Sequence, residues 1–383
     1  MNILMLSIYF PPHYSGAAKQ GLALAKLLRS RGHNIEFVTI RRGDESFEDV
    51  HEGFKVWRLA MGKSKHQELG FWWYFLCFMY KRRNDFDILH SHGAYYLNST
   101  IGPLGRLFGK KSIVKTSMAK NDLAGLGKSL SGKVHLFFLK LVDAYVAISK
   151  DLQDEFTELK FPEEKVFFLP NGVDTDRFKP VDSQRAIEKK TILKLVENKL
   201  VALTIGVFDE RKNIGWLIRE WINNEGFGTG ALLLAVGPQS REDQNGSFLH
   251  GLQEIAESRP DLVQIVGHVD RIEEYFQSAD FFILPSTNEG MPNVVLEAMS
   301  SGLPCVTTKV SGCGDLIEEG VSGYFFPANN SEGLRIALCK ILSCDMVKMG
   351  FEARNFIEMT FSLCALADQY EHLYLQLSNR LNG

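Results

Sequence analysis

The stretch "STNEGMPNVVLEAMSSGLPC", residues 286–305, carries two acids, Glu289 and Glu297, in an otherwise nearly uncharged and largely apolar setting. The run before it, "DFFILPS", is short, apolar and aromatic, which predicts a buried strand. Thr287, Asn288, Glu289 and Gly290 then read as a loop. Pro292 stands where the first helical position is expected, "NVVLEAMSS" continues as a short helix, and Gly302 stops it. Glu289 is thereby placed at the carboxyl end of a strand, and Glu297 about one and a half turns into a helix. A bare carboxylate among Leu296, Ala298 and Met299 is costly to bury unless something hydrogen-bonds to it.

Two explanations fit this pattern. In the structural one, Glu289 caps the helix and Glu297 pairs with a nearby Lys or Arg. In the functional one, ligand hydroxyls satisfy both carboxylates, while the free amides of the first helical turn offer an anion site beside them. Backbone donors for phosphate and carboxylates for hydroxyls together suit a sugar nucleotide.

The same strand–loop–helix grammar runs through the whole chain. "NILMLSI", "NIEFVTI", "FDILHSH", "KSIVKTS", "DAYVAIS" and "KVFFLP" read as strands of a first half. "VALTIGV", "GALLLAVG", "DLVQIVG", "DFFILPS" and "LPCVTTKV" read as strands of a second. Near-continuous apolar runs separated by amphipathic segments mean parallel sheets covered on both faces by helices. The expected architecture is α/β, with two doubly wound Rossmann-like domains facing a central cleft. Ligands bind beyond the carboxyl ends of the strands in such folds. The joint is expected between Asp174 and Glu197, and residues 41–85 are uninformative.

Composition agrees. The 383 residues are 45% hydrophobic and 23% charged with a formal net charge of -3, ordinary for a globular protein and without the basic field that nucleic acid requires. The six cysteines form no CxxC pair and read as reduced thiols of a cytoplasmic protein. "MNILMLSIYFPP" lacks a basic leader and a cleavage site, so it reads as a first strand and not a signal peptide. No run is long enough to span a bilayer.

At this point the chain resembles the family 4 retaining glycosyltransferases, whose fold is GT-B. "PSTNEGMPNVVLEAMSSGLPCV" is similar to their acidic signature, and "KVFFLPNGVDTDRFKP" and "VDAYVAISKDLQDEF" to the region near their linker. "YFPPHYSGAAKQGLALAKLLRSRGH" is similar to their opening loop and first helix, and "IVGHVDRIEEYFQSADFFILPS" to the run-up to the signature. The resemblance implies that Glu289 contacts hydroxyls of the donor sugar and Glu297 the ribose hydroxyls. It further implies that amides at Gly290, Met291, Asn293 and Val294 line the sugar and diphosphate, and that Val269 faces the base through its backbone. Gly16 is implied to let its loop approach the diphosphate, which a side chain there would block.

One departure stands out. Related transferases carry an Arg directly after a glycine and a Lys five residues later; here Gly206 is followed by Val207, and only Lys212 matches. Arg211 is expected to supply the missing guanidinium. Lys212, Arg211 and helix amides would then stabilise negative charge growing on the leaving diphosphate, with no metal or other cofactor required. The "DTD" at 174–176 reads as turn chemistry and not a metal site. His90 and His92 end a strand, and His92 is a weaker catalytic candidate against a plain packing role. The next strand carries Ser117, Lys120, Asn121 and Asp122 where relatives often place a His.

"GFWWYFLCFMYKRR", 70–83, has two readings: a core helix, or a docking surface in which Trp72 and Trp73 with Lys81, Arg82 and Arg83 meet anionic lipid. The expected domains are 1–178 for the acceptor, 179–358 for the nucleotide sugar, and 359–383 as a C-terminal helix packing back on the first. The expected activity is transfer of a hexosyl or N-acetylhexosaminyl group (EC 2.4.1.-) from a nucleotide-diphosphate sugar to a sugar or lipid-linked sugar acceptor. Bacterial surface polysaccharide assembly is the expected setting, in the cytoplasm or on the inner face of its membrane. The alternatives are a sugar-nucleotide epimerase on the same fold and an inactive nucleotide-sugar-binding module.

Overall fold

A computed structural model describes residues 1–379 except 14, 62–66, 95–96, 120–121, 124–125, 127–128, 194–198, 241–242 and 244, with the side chains of 67, 68, 183 and 379 also outside the description. The chain divides into two compact units, Met1–Asn171 with Leu363–Gly383, and Gly172–Ser362.

The first unit holds strands β1 (Asn2–Leu6), β2 (Asn34–Ile40), β3 (Glu48–His51), β4 (Phe54–Leu59), β5 (Ile88–His92), β6 (Lys111–Lys115), β7 (Ala144–Ala147) and β8 (Val166–Phe168). They form one sheet in the order β3-β4-β2-β1-β5-β6-β7-β8, parallel except for the β3–β4 hairpin. Its helices are α1 (Gly16–Ser30), α2 (Gln67–Lys81), α3 (Ile101–Phe108), α4 (Leu130–Lys140) and α5 (Lys150–Glu158). The β3–β4 hairpin lies in the stretch that is uninformative in sequence. Its strand "EDVH" is polar because it is an edge, and Glu52 and Gly53 turn it with φ of 50° and 79°.

The second unit opens with α6 (Ser183–Ile192) and runs β9 (Val201–Ile205), α7 (Ile214–Asn223), β10 (Leu232–Val236), α8 (Ser247–Glu257) and β11 (Val263–Val266). It continues through α9 (Ile272–Ser278), β12 (Phe281–Leu284), α10 (Asn293–Ser300), β13 (Cys305–Thr308), α11 (Cys313–Leu316), β14 (Gly323–Phe326), α12 (Ser331–Leu342) and α13 (Met346–Thr360). The sheet is wholly parallel in the order β11-β10-β9-β12-β13-β14, the doubly wound order that reverses between β9 and β12. Strand side chains are buried on both faces, with Trp221, Leu233, Ile283 and Leu338 among the core.

The unit boundary after Asn171 lies upstream of the expected 178. Phe178 explains why: its ring meets Phe276, and its carbonyl accepts from Ser300 Oγ at 2.6 Å and Arg354 Nη1 at 2.6 Å, so the turn before it is held by the second unit. Asp174 Oδ1 accepts the amides of Asp176 and Arg177 at 3.1 and 3.0 Å, a local turn as the "DTD" reading expects. The last helix, α14 (Leu363–Asn379), starts at Leu363 and not 359, because Phe361 is buried and its carbonyl receives the Val173 amide at 3.0 Å.

Helix α14 lies in the first unit. It buries Leu366, Tyr370, Leu373 and Leu377, a helical stripe, and Glu371 receives Arg31 Nη1 at 3.1 Å and His33 Nε2 at 2.8 Å. Strand alternation puts His90 and His92 of β5 on one face of the sheet, their rings 4.3 Å apart. Tyr374 Oη lies 2.8 Å from His90 Nδ1, Lys115 Nζ sits 5.6 Å from the Tyr370 ring centre, and Gly21 of α1 leaves room for the His92 ring. Burial pushes His90 down to about 3 and Lys115 down to about 7; burial, with His90 and Lys115 nearby, holds His92 well below its ordinary value. The folded state therefore keeps these bases neutral where the unfolded chain would protonate them. Stability must fall as pH drops through about 6.5 for the histidines, and across roughly 10.5 to 7 for Lys115. Acidification from pH 6.5 to 5 is expected to cost about 2 kcal/mol through His90 alone. Thermal melts of His90→Phe and Lys115→Met should show the acid and alkaline slopes flattened, respectively.

Candidate functional site

The reversal of strand order between β9 and β12 opens a crevice at their carboxyl ends, since the following chains leave toward opposite faces of the sheet. The loop after β9 carries Arg211 and Lys212; the loop after β12 carries Glu289. These three side chains meet. Lys212 Nζ donates to Glu289 Oε1 at 2.7 Å and Arg211 Nη1 to Glu289 Oε2 at 3.1 Å, one cation on each oxygen. Arg211 Nη1 also reaches the Asn288 carbonyl at 3.1 Å.

Local sequence explains the convergence. Asp209 Oδ1 accepts the Lys212 amide at 2.6 Å and turns the loop. Asn213 takes a left-handed conformation, φ 58°, and donates to the Pro285 carbonyl at 3.2 Å. The Thr287 amide donates to the Arg211 carbonyl at 2.9 Å, which locks the two loops together. Behind them, Gly312 has φ +75°, and a Cβ there would stand 2.5 Å from the Gly290 carbonyl oxygen. The "SGCG" loop after β13 thus supports the Glu289 loop by close backbone contact, aided by Ser311 Oγ on the Gly290 carbonyl at 3.3 Å.

Glu289 is only 6% exposed. Burial alone would push its carboxyl up, but Lys212 and Arg211 hold it below the ordinary carboxylate range. The structural explanation is therefore reversed in its details: Glu289 is the ion-paired acid, and α10 has no side-chain cap. Pro292 is the N-cap, one position earlier than expected, because its ψ of 108° is extended and helical geometry begins at Asn293. Glu297 is buried in α10, and Gly302, φ +78°, follows the helix end.

Other expected site residues are distributed as follows. Gly290 and Met291 are buried beside Glu289, with Asn293 and Val294 half-buried at the start of α10. Val269 lies in the loop after β11, on the same carboxyl edge of the sheet but separated from β12 by β10 and β9. Gly16 opens α1 behind the N-cap Ser15, in the first unit. His92 is buried, 3% exposed, against Gly21 of α1 and beside His90, and neither ring nitrogen has a hydrogen-bond partner among the described residues. Asp122 is buried and accepts Ser117 N at 2.5 Å and Met118 N at 3.1 Å, while Lys120 and Asn121 lie outside the described residues.

In the segment 70–83 one face of the helix is core and the other is exposed. Phe71, Phe75, Phe78 and Met79 are core, whereas Trp73, Tyr74 and Tyr80 are exposed and Trp72 is half-buried against Phe138. Lys81 and Arg83 are exposed, but Arg82 is not a free cation. It donates to Glu36 at 2.6 and 3.1 Å and to Asp85 at 2.7 Å, and lies over the Trp57 and Phe86 rings. Asp209, Ser311 and Gly312 also shape the site; a glycine pair just beyond a strand, as in "SGCG", is the sequence signal that marks the last two.

Residues 14–177 match the family model described as Glycosyltransferase Family 4, and residues 199–344 the one described as Glycosyl transferases group 1. The chain is 24% identical over 394 residues to the UDP-Gal:alpha-D-GlcNAc-diphosphoundecaprenol alpha-1,3-galactosyltransferase of Escherichia coli, covering 98% of this chain and 97% of that one. It is 25% identical over 392 residues to the N-acetyl-alpha-D-glucosaminyl L-malate synthase of Bacillus anthracis, covering 97% and 96%. Among solved structures, Anabaena HepE in complex with UDP and glucose superposes with a TM-score of 0.80 at 16% identity, covering 98% of this chain and 100% of HepE. Sucrose-phosphate synthase of Thermosynechococcus elongatus gives 0.78 at 19%, covering 98% of each. These likenesses establish the GT-B fold.

Removing the carboxylate charge leaves two cations facing each other in a mostly buried site. Glu289→Gln is expected to lower the stability of the second unit by about 3 kcal/mol at pH 7, measured by urea unfolding. The folded carboxyl lies below its ordinary 4.5, so the advantage of the wild type is present above that pH. It should vanish as pH falls through the folded value.

Proposed function

The chain belongs to the family 4 glycosyltransferases, and on that premise we propose a retaining, metal-independent transfer of a hexosyl or N-acetylhexosaminyl group from a nucleotide-diphosphate sugar to an acceptor hydroxyl. The observation that carries this reading is the convergence of Lys212 and Arg211 on Glu289 at the strand-order reversal. One carboxylate is shared by two cations, so the cluster keeps a net positive charge. A donor diphosphate competes for them, and Glu289 exchanges part of its ion pairing for hydrogen bonds from sugar hydroxyls.

In this scheme the bond between the anomeric carbon and the phosphate oxygen breaks as the bond to the acceptor oxygen forms. The acceptor proton goes to an oxygen of the leaving phosphate. The charge that accumulates on the diphosphate is met by Lys212, by Arg211 and by the amides of Gly290, Met291, Asn293 and Val294, already placed before reaction. Such fixed cations supply what a divalent ion supplies in other transferases. We assign Glu297 to the ribose hydroxyls, Val269 to the base and Gly16 to the diphosphate. Arg211 stands in for the guanidinium missing at Val207, which the shared carboxylate supports.

The setting we propose is bacterial surface polysaccharide assembly with a lipid-linked sugar acceptor, supported by the E. coli relative, whose name specifies a diphosphoundecaprenol-linked substrate. HepE has been solved with UDP-glucose, which makes UDP-sugars the first donors to try. The six cysteines are free thiols, as suits the cytoplasm.

Sugar-nucleotide turnover, with the anomeric configuration of the product read by NMR, tests the proposal. Lys212→Ala and Arg211→Ala should each lower kcat/KM about 10²- to 10³-fold. An Arg211→Ala enzyme with unchanged turnover would remove Arg211 from the site. Chelator should leave the wild-type rate unaltered; a rate lost to chelator and restored by Mg²⁺ would overturn metal independence.

A further inference from the structure

Helices α2 and α4 each carry two apolar stripes where a surface helix needs one. On α2, Phe71, Phe75, Phe78 and Met79 face the core, while Leu69, Trp73 and Tyr80 lie on the opposite side at helical spacing. Trp73 and Tyr80 are each 63% exposed. On α4, His135 and Leu139 are buried, and Leu130, Val134 and Phe137 form an exposed stripe at spacings of four and three, Leu130 81% and Phe137 61% exposed. The outer faces belong together: the Trp72 and Phe138 rings are 5.0 Å apart, and α3, with Leu107 exposed, packs against both helices. Apolar exposure of this extent on one side of a unit marks a binding surface.

Charge identifies the partner. After Glu68, the sequence of α2 contains no acid through Asn84, and between Asp87 and Asp143 the single carboxylate is Asp122, which is buried. The flanking acids are engaged elsewhere: Asp85 with Arg82, Asp87 with the Asn2 amide at 2.7 Å, and Asp143 with the Ser112 amide at 2.9 Å. Lys81, Lys133 and Lys140 are exposed on the same helices, and Arg83 just beyond the end of α2. A chain with more acids than bases overall thus presents one face of tryptophan, tyrosine, leucine and phenylalanine interleaved with cations and nearly free of carboxylates. Trp and Tyr favour the water–hydrocarbon boundary, and juxtaposed Lys and Arg are drawn to anionic headgroups. No helix among the described residues is long and apolar enough to cross a membrane, so the match is to a surface-lying mode.

We infer that the outer faces of α2 and α4 dock this protein onto an anionic lipid bilayer, with Trp73, Tyr80, Leu130 and Phe137 entering the interface and Lys81, Lys133 and Lys140 meeting the headgroups. The basic contribution comes from both helices and excludes Arg82, whose guanidinium is committed to Glu36. The inference is independent of the transfer chemistry, because no residue in it belongs to the strand-reversal site.

Flotation of the full-length chain with vesicles tests it. Binding to phosphatidylcholine–phosphatidylglycerol vesicles is expected, with little to phosphatidylcholine alone and weakening as salt rises. Trp73→Ser with Phe137→Ser, and separately Lys133→Glu with Lys140→Glu, should each weaken binding about tenfold or more, circular dichroism remaining native. Donor-nucleotide binding without vesicles should be unchanged in both, so a failed transferase reading would register there and not in flotation. No flotation with the anionic vesicles would overturn the inference, as would flotation indifferent to both variant pairs. Sedimentation that reveals a dimer dispersed by the Trp73/Phe137 pair would instead assign the face to a second copy of this chain.

Discussion

Two cations on one carboxylate, at the point where a parallel sheet reverses its strand order, is the interaction on which the second unit turns. A buried Glu289 is affordable because Lys212 and Arg211 take one oxygen each. Two adjacent cations, at the start of a helix whose dipole repels them, are tolerable because the acid is there. Neither side is stable without the other, and the loops that carry them come from strands far apart in sequence but neighbours in the sheet. The backbone around them is accordingly held from several directions, by Asp209, Asn213, Thr287 and the glycine of the "SGCG" loop.

The first unit shows the opposite economy of charge. His90 and His92 are placed where they stay neutral and Lys115 where burial disfavours its charge, beside two buried tyrosines that remain protonated. Position at a strand end suggested a ligand-facing His92. Alternation within β5 instead puts it beside His90 and against Gly21 of α1, with Tyr370 and Tyr374 of α14 packed on the His90 ring. The same helix ties Arg31 and His33 to Glu371, so the last residues of the chain complete a core that the first residues begin.

The aromatic helix α2 shows why composition alone left two readings open. The helix is apolar nearly all round, yet only the face of Phe71, Phe75, Phe78 and Met79 is buried, while Leu69, Trp73 and Tyr80 are exposed. Arg82 belongs to the buried side through Glu36 and stacks on Trp57, although in sequence it stands level with Lys81 and Arg83.

From the chain alone, most parallel strands, the two-part α/β organisation and the acidic loop with its two cations were legible, because each rests on local pattern: apolar runs, turn residues and fixed spacing. The β3–β4 hairpin and β14 were not, since a polar edge strand and the short "GYFF" lack the long apolar run that marks a central strand. What only the tertiary structure decided is pairing. Which acid takes the cations, which histidine is sealed and which arginine is spent on the core all depend on strand order and on α14. Those contacts join residues up to hundreds of positions apart, and no local spacing encodes them.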